Sequence, residues 1–174
     1  MYQNPARRKQ CAYHAIATLS ALVFATTVSA VGHREYTKDS IDSEFWQEVF
    51  GANVAASAPK RIGEGQVGMN LRYMLTSDNP TVPSSVVVKM ASPDPISRAT
   101  GIGLRNYERE VKFYNEVASS LDVRKPHCYF ADWNETGGDI AIVLEDMTPA
   151  EQGDQIRACG IDEARLAVIE LSRL

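Results

Sequence analysis

Cysteine and histidine are scarce in this chain of 174 residues, with three of each: Cys11, Cys128 and Cys159, and His14, His33 and His127. Three cysteines make no even disulfide framework, and neither residue type recurs at metal-ligand spacing, so the sequence offers no stapled scaffold and no structural zinc site. A reducing compartment without structural metal is the simpler reading. Basic charge is also short. Lys and Arg number 18 against 22 Asp and Glu, a net charge of −4, and Arg7, Arg8 and Lys9 fall in the first thirty residues, which hold no acid. Beyond those three the balance is 15 basic to 22 acidic, or −7. A surface for nucleic acid needs a basic patch for phosphates, so that class is excluded. Internal repeats and low-complexity tracts are lacking too. What is present is the composition of one ordinary globular domain, 44% hydrophobic and 23% charged, long enough to bury a core.

The basic triplet Arg7-Arg8-Lys9 precedes a mostly apolar stretch from Ala12 to Val31 that contains Val28-Ser29-Ala30, a small-residue pattern of the signal-peptidase type. Tyr13, His14, Thr18, Ser20, Thr26, Thr27 and Ser29 dilute the stretch, which disfavours a stable transmembrane helix. Three readings stand for residues 1–34: a cleaved secretory signal, a membrane anchor, or a non-native leader from a wrong start or a gene fragment.

Downstream, Ile41, Phe45, Trp46 and Val49 recur at helical spacing, with Asp42 and Glu44 near the start, and predict a short amphipathic helix over Ser40 to Val49. Strands are predicted at Arg61 to Glu64, at Asn70 to Leu75 with Leu71, Tyr73 and Leu75 alternating, and at Val86 to Met90, with turn material from Ser77 to Ser84. Ser92-Pro93-Asp94-Pro95 ends the third strand. A helix follows from about Asn106 to Leu121, then a hairpin of His127 to Trp133 and Ile140 to Leu144 around Asn134-Glu135-Thr136-Gly137-Gly138. A last helix starts at Asp162, read as its N-cap, and carries Ala164, Ala167, Val168, Leu171 and Leu174 on one face. It has no stop signal. Its end in mid-stripe predicts a chain cut from a longer protein, with a frayed natural terminus as the bland alternative.

Chemistry-bearing residues fall in four ordered places. Gly63, Gly65 and Gly68 match G-x-G-x-x-G, which alone fits an ordinary turn as well as a phosphate-binding loop. In a dinucleotide-binding unit such glycines open a helix, whereas here a strand pattern follows, which favours a glycine-rich hairpin whose N–H groups approach phosphate oxygens. Lys89 lies in the apolar run Val86-Val87-Val88-Lys89-Met90. There it either faces water on an edge strand or holds an inward partner. On the following helix Tyr107, Val111, Tyr114, Ala118 and Leu121 form one stripe. Glu110 falls near its margin, pointing toward the sheet and Lys89, and Glu108 falls outside it, as an exposed i,i+4 pair with Lys112. Val143-Leu144-Glu145-Asp146-Met147 ends a buried strand; its acids by themselves read as the start of a solvent-facing loop.

Taken together, Gly63-Glu64-Gly65, Val87-Val88-Lys89, Tyr107-Glu108-Arg109-Glu110-Val111-Lys112-Phe113-Tyr114, Leu144-Glu145-Asp146-Met147 and Gly153-Asp154-Gln155 resemble the aminoglycoside-phosphotransferase and choline-kinase superfamily, in its ecdysteroid-kinase-like (CHK kinase-like) branch. The resemblance runs from about Ile41 to Leu174. It implies an α+β fold, the protein-kinase-like N-terminal lobe, with about five antiparallel strands and one main helix over residues 35–147. Residues 148–174 would then be the linker and first helix of a C-terminal lobe that is missing. The implied activity is transfer of the ATP γ-phosphate to a small-molecule hydroxyl, with Mg2+, in the cytoplasm. The implied partners are nucleotide and a small-molecule acceptor, with a membrane only if the leader is retained. By the resemblance Gly63, Gly65 and Gly68 would cover the phosphates, Lys89 would hold them, Glu110 would orient Lys89, and backbone groups of Glu145, Asp146 and Met147 would meet the adenine edge. No catalytic or metal-binding residue is assigned. Asp132, Asp139, Asp146 and Asp154 are available carboxylates without a catalytic-loop context, so the chain is expected to be inactive alone. The rival expectation is an exported or tethered binding protein without enzymatic activity.

Overall fold

A run of antiparallel pairings carries the whole architecture. A computed structural model describes residues 34–63, 65–135, 138–151, 153–154 and 156–173; the leader call and the Val28-Ser29-Ala30 pattern lie outside them, as do Glu64, Thr136, Gly137, Gln155 and Leu174. The strands are β1 (Ala55–Ala56), β2 (Lys60–Ile62), β3 (Gly68–Thr76), β4 (Ser85–Ala91), β5 (Cys128–Asn134) and β6 (Asp139–Glu145), in the order β1-β3-β4-β6-β5, with β2 paired to β3 beside β1. The helices are α1 (Ser43–Phe50), α2 (Pro95–Gly103), α3 (Asn106–Lys112) and α4 (Ile161–Leu171). Among the described residues the fold is therefore α+β, an open antiparallel sheet of six strands with four helices, where five strands and one main helix were expected. The extra strand is β1, which lies in no expected strand and pairs along the same edge of β3 as β2; β2 itself runs over Lys60–Ile62, where Arg61 to Glu64 was expected.

Register gives the sheet two faces. Leu71, Val88 and Val143 stand opposite one another, as do Met69, Met90 and Ala141, and all are buried. This face packs on α1, with Phe45 and Trp46 fully buried. Trp46 meets Tyr73 at 5.3 Å and Phe45 meets Phe130 at 5.3 Å, edge to face. The α1 helix begins where Asp42 accepts from the N–H groups of Glu44 and Phe45, both at 3.0 Å, and stops at Gly51, whose φ of 64° needs no Cβ. Its observed start is later than the expected Ser40, because Asp42 is the cap.

On the opposite face Asn70, Lys89 and Ile142 form one cross-strand row and Arg72, Val87 and Leu144 the next. The α3 helix covers the Ile140 and Ile142 end through Tyr107 and Val111. Here the expected long helix is altered. The α3 helix is followed by a π-helical turn at Phe113–Val117 and a 3-10 turn at Ala118–Ser120. The α2 helix was not anticipated, although Asp94 caps it by accepting from Ser97 N–H at 2.8 Å and Pro95 occupies its first position. Gly160, not Asp162, stands at the N-cap of α4, its N–H donating to the Glu163 carboxylate. No residue of α4 is buried. Among the described residues no helix is long and apolar enough to cross a membrane.

Candidate functional site

The glycine turn joins β2 to β3. Gly63 has φ of 66°, a left-handed conformation open to glycine at no steric cost. A Cβ at Gly65 would come within 2.7 Å of the Gly68 carbonyl oxygen, so no side chain fits there without moving backbone. Gly68 is already inside β3, paired with Ala91, and a Cβ there would lie 3.2 Å from Lys89 Cε. The turn opens a strand and not a helix, as the hairpin reading required and the dinucleotide reading did not.

Lys89 projects from the middle of β4 between Asn70 and Ile142. Its Nζ lies 2.7 Å from Glu110 of α3, with the two side chains 28% and 27% exposed. The pair is thus neither a solvated edge contact nor a sealed core ion pair. Tyr114, one turn further along the helical segment, has its hydroxyl pushed up to about 12 by burial and by the negative charge of Glu110.

Glu108 corrects the expected division of the helix. It is 7% exposed and binds two cations: Arg105 Nε and Nη2 at 2.6 Å each, and Lys112 Nζ at 2.8 Å. Hydrogen bonds from Arg105 first, then Lys112, push its carboxyl down to about 2. A wheel drawn against the sheet alone puts Glu108 outside. In the fold, Arg105 enters α3 with φ of 55° and folds its guanidinium over the carboxylate. Glu110, expected to be the more inward of the two, is the more exposed.

The expected adenine-edge segment is only partly available. Glu145 N–H donates to the His127 carbonyl at 2.8 Å, and the Met147 carbonyl accepts from Ala150 N–H at 2.8 Å. Glu145 also turns its carboxylate to His127 N–H at 3.0 Å. Asp146 faces the sheet: Arg72 Nε lies 2.8 Å from its Oδ2, and Arg72 also donates to Thr148 Oγ1 at 2.8 Å. Burial opposes the charge on Asp146, but hydrogen bonds from Thr148, Ser85 and Arg72 outweigh it and hold the carboxyl below its ordinary value.

Sequence reasoning missed Arg72 and the role of Tyr107. Arg72 occupies a polar position of the alternating strand that no local signal marks, and its contact with Asp146 spans 74 positions. Tyr107 was read as stripe only, yet its hydroxyl donates to the Val67 carbonyl of the glycine turn. Half-buried Asn70, Arg72, Val87, Lys89 and Leu144 leave a shallow sheet face beside that turn. A recess of about 50 Å³ lined by Gly101, Tyr107, Glu108 and Trp133, and a groove of about 410 Å³ lined by Ser43, Val54 and Thr76, lie elsewhere. Among the described residues no three His, Cys, Asp or Glu side chains converge to hold a metal, so no residue is assigned to magnesium.

Comparison with family models, curated proteins and solved structures returns no match for this chain.

Proposed function

We propose that the described residues form the nucleotide-binding lobe of an ATP-dependent phosphotransferase acting on a small-molecule hydroxyl. The observation that carries this reading is the Lys89–Glu110 contact of 2.7 Å on a half-open face, with Gly68 packed against the lysine stem. A lysine there brings a positive charge next to a turn whose tight glycines keep side chains away from backbone N–H groups. That combination suits a chain of phosphates. Glu110 would hold Nζ in place and leave other N–H donors of the ammonium for ligand oxygens. The glycine turn, Lys89, Glu110 and the Glu145 to Met147 segment follow one another in the order that the resemblance requires. Arg72, by holding Asp146, fixes the segment after β6 to β3 along the edge of the same face.

When bound, ATP would supply the transferable phosphoryl group. This chain's part is binding and orientation, and no residue is assigned to deprotonate an acceptor. The test is titration of fluorescently labelled ATP against the wild type and Lys89→Met. Loss of a charge-assisted contact should weaken binding about tenfold or more, with an unchanged fold. Equal affinity in both, or no saturable binding to the wild type, overturns the reading.

A further inference from the structure

We propose that Tyr107 is a positioning residue that locks the glycine turn to α3, so that turn, Lys89 and Glu110 hold one fixed arrangement for an anionic ligand; this rests on the nucleotide reading above. The Tyr107 ring is 2% exposed among Ala91, Val111, Ile140 and Ile142. A buried phenol needs a partner, and its hydroxyl finds one in the Val67 carbonyl, the residue before Gly68. Ser92 N–H, just past β4, donates to the same carbonyl at 3.3 Å and reaches the Tyr107 hydroxyl at 3.4 Å. One small knot therefore joins the end of the turn, the end of the lysine strand and the helix.

Tyr107 and Glu110 are three residues apart on α3, adjacent on its surface. Their contacts close a ring. Val67 is held by Tyr107, Tyr107 shares a helix with Glu110, Glu110 holds Lys89, and the Lys89 stem packs on Gly68, the neighbour of Val67. Displacing the turn then means displacing the helix or breaking the knot. Gly101 of α2 makes room for the phenol: a Cβ there would stand 2.6 Å from the Tyr107 hydroxyl. Apolar packing alone would be served by phenylalanine, whereas the ring of contacts uses the oxygen.

Tyr107→Phe deletes that oxygen and keeps the shape. Amide hydrogen exchange on ligand-free protein should show faster exchange at Ser92 and across Gly65 to Gly68, with Val88 and Val143 in the core strands unchanged. Labelled ATP should bind this variant roughly five- to tenfold more weakly than wild type, the effect of one hydrogen bond. On the wild type, added ATP should slow exchange at Ser92 and in the turn, a measurement that stands even where the variant does not fold. Uniform acceleration across all strands would make Tyr107 a packing residue and overturn the proposal, as would unchanged Ser92 exchange. ATP affinity that depends on Lys89 but not on Tyr107 overturns the positioning role and leaves the nucleotide reading intact. Absence of saturable ATP binding to the wild type removes both.

Discussion

Lys89 and Glu110 meet at 2.7 Å from opposite sides of a strand–helix contact, and each side chain keeps about a quarter of its surface in solvent, at 28% and 27%. Water at that level screens the attraction while leaving the geometry defined. At that exposure the pair is a weak source of stability.

The stability coupling between the two should accordingly be small. A double-mutant cycle of Lys89→Met and Glu110→Gln, read by urea denaturation, should give roughly 0.2 to 1 kcal/mol. A coupling of several kcal/mol would indicate a sealed ion pair and contradict the open site.

Glu108 should matter more to folding than Glu110. It is 7% exposed and joins Arg105 and Lys112, whereas Glu110 has one ion-pair partner. Thermal melts should show a larger drop for Glu108→Gln than for Glu110→Gln; the reverse order would contradict this assignment of the helix face.

The acid sensitivity of the fold should carry the mark of Glu108. Its carboxyl is lowered from 4.5 to about 2 in the folded protein, so its stabilisation is present above 4.5 and disappears as pH falls toward 2. Urea midpoints of wild type and Glu108→Gln should differ by a constant amount near neutrality and converge across that interval. A difference that persists unchanged at pH 2 would show that the carboxylate charge is not the cause.

Two glycines of α2 should respond with opposite sign. Alanine is the better helix former by up to about 1 kcal/mol, and nothing lies within 4 Å of a Cβ at Gly103, so Gly103→Ala should be stabilising. At Gly101 the Cβ would meet the buried Tyr107 phenol, and the overpacking cost of about 1 to 3 kcal/mol should make Gly101→Ala destabilising. Calorimetry on both variants decides; a stabilised Gly101→Ala would mean that Tyr107 does not lie against α2.

The apolar face under α1 should be the main store of stability. Trp46 is fully buried against Phe45 and Tyr73, and Trp46→Ala should cost about 3 to 5 kcal/mol in chemical denaturation. A loss below about 1 kcal/mol would place the core elsewhere.

Strand periodicity was legible because burial of one sheet face imposes a two-residue repeat: Leu71, Tyr73 and Leu75 alternate, and all three are buried. The hairpin of β5 and β6 and the helix that carries Phe45 and Trp46 were legible for similarly local reasons, the cap at Asp42 excepted. The α2 helix was obscured by Pro93 and Pro95, read as a stop when Asp94 and Pro95 also make a start. Helix-face arguments worked for Tyr107 and Val111, which touch the sheet, and failed for Glu108, which lines a recess with Gly101 and Trp133 and is paired with Arg105 and Lys112.

By itself, then, the sequence determined the alternating strands, the glycine turn, the lysine in its apolar strand and the facing glutamate. Each is written in spacing that local geometry enforces. Only the tertiary structure decided that Arg72 would grip Asp146 across 74 positions, that Tyr107 would reach Val67 across 40, and that Glu108 would be the buried acid of α3. The first two depend on the order in which strands pair and helices pack, and the third on groups outside the α3 stripe that surround Glu108, with Gly101, Arg105 and Trp133 among them. Side-chain periodicity along a single element carries neither kind of information.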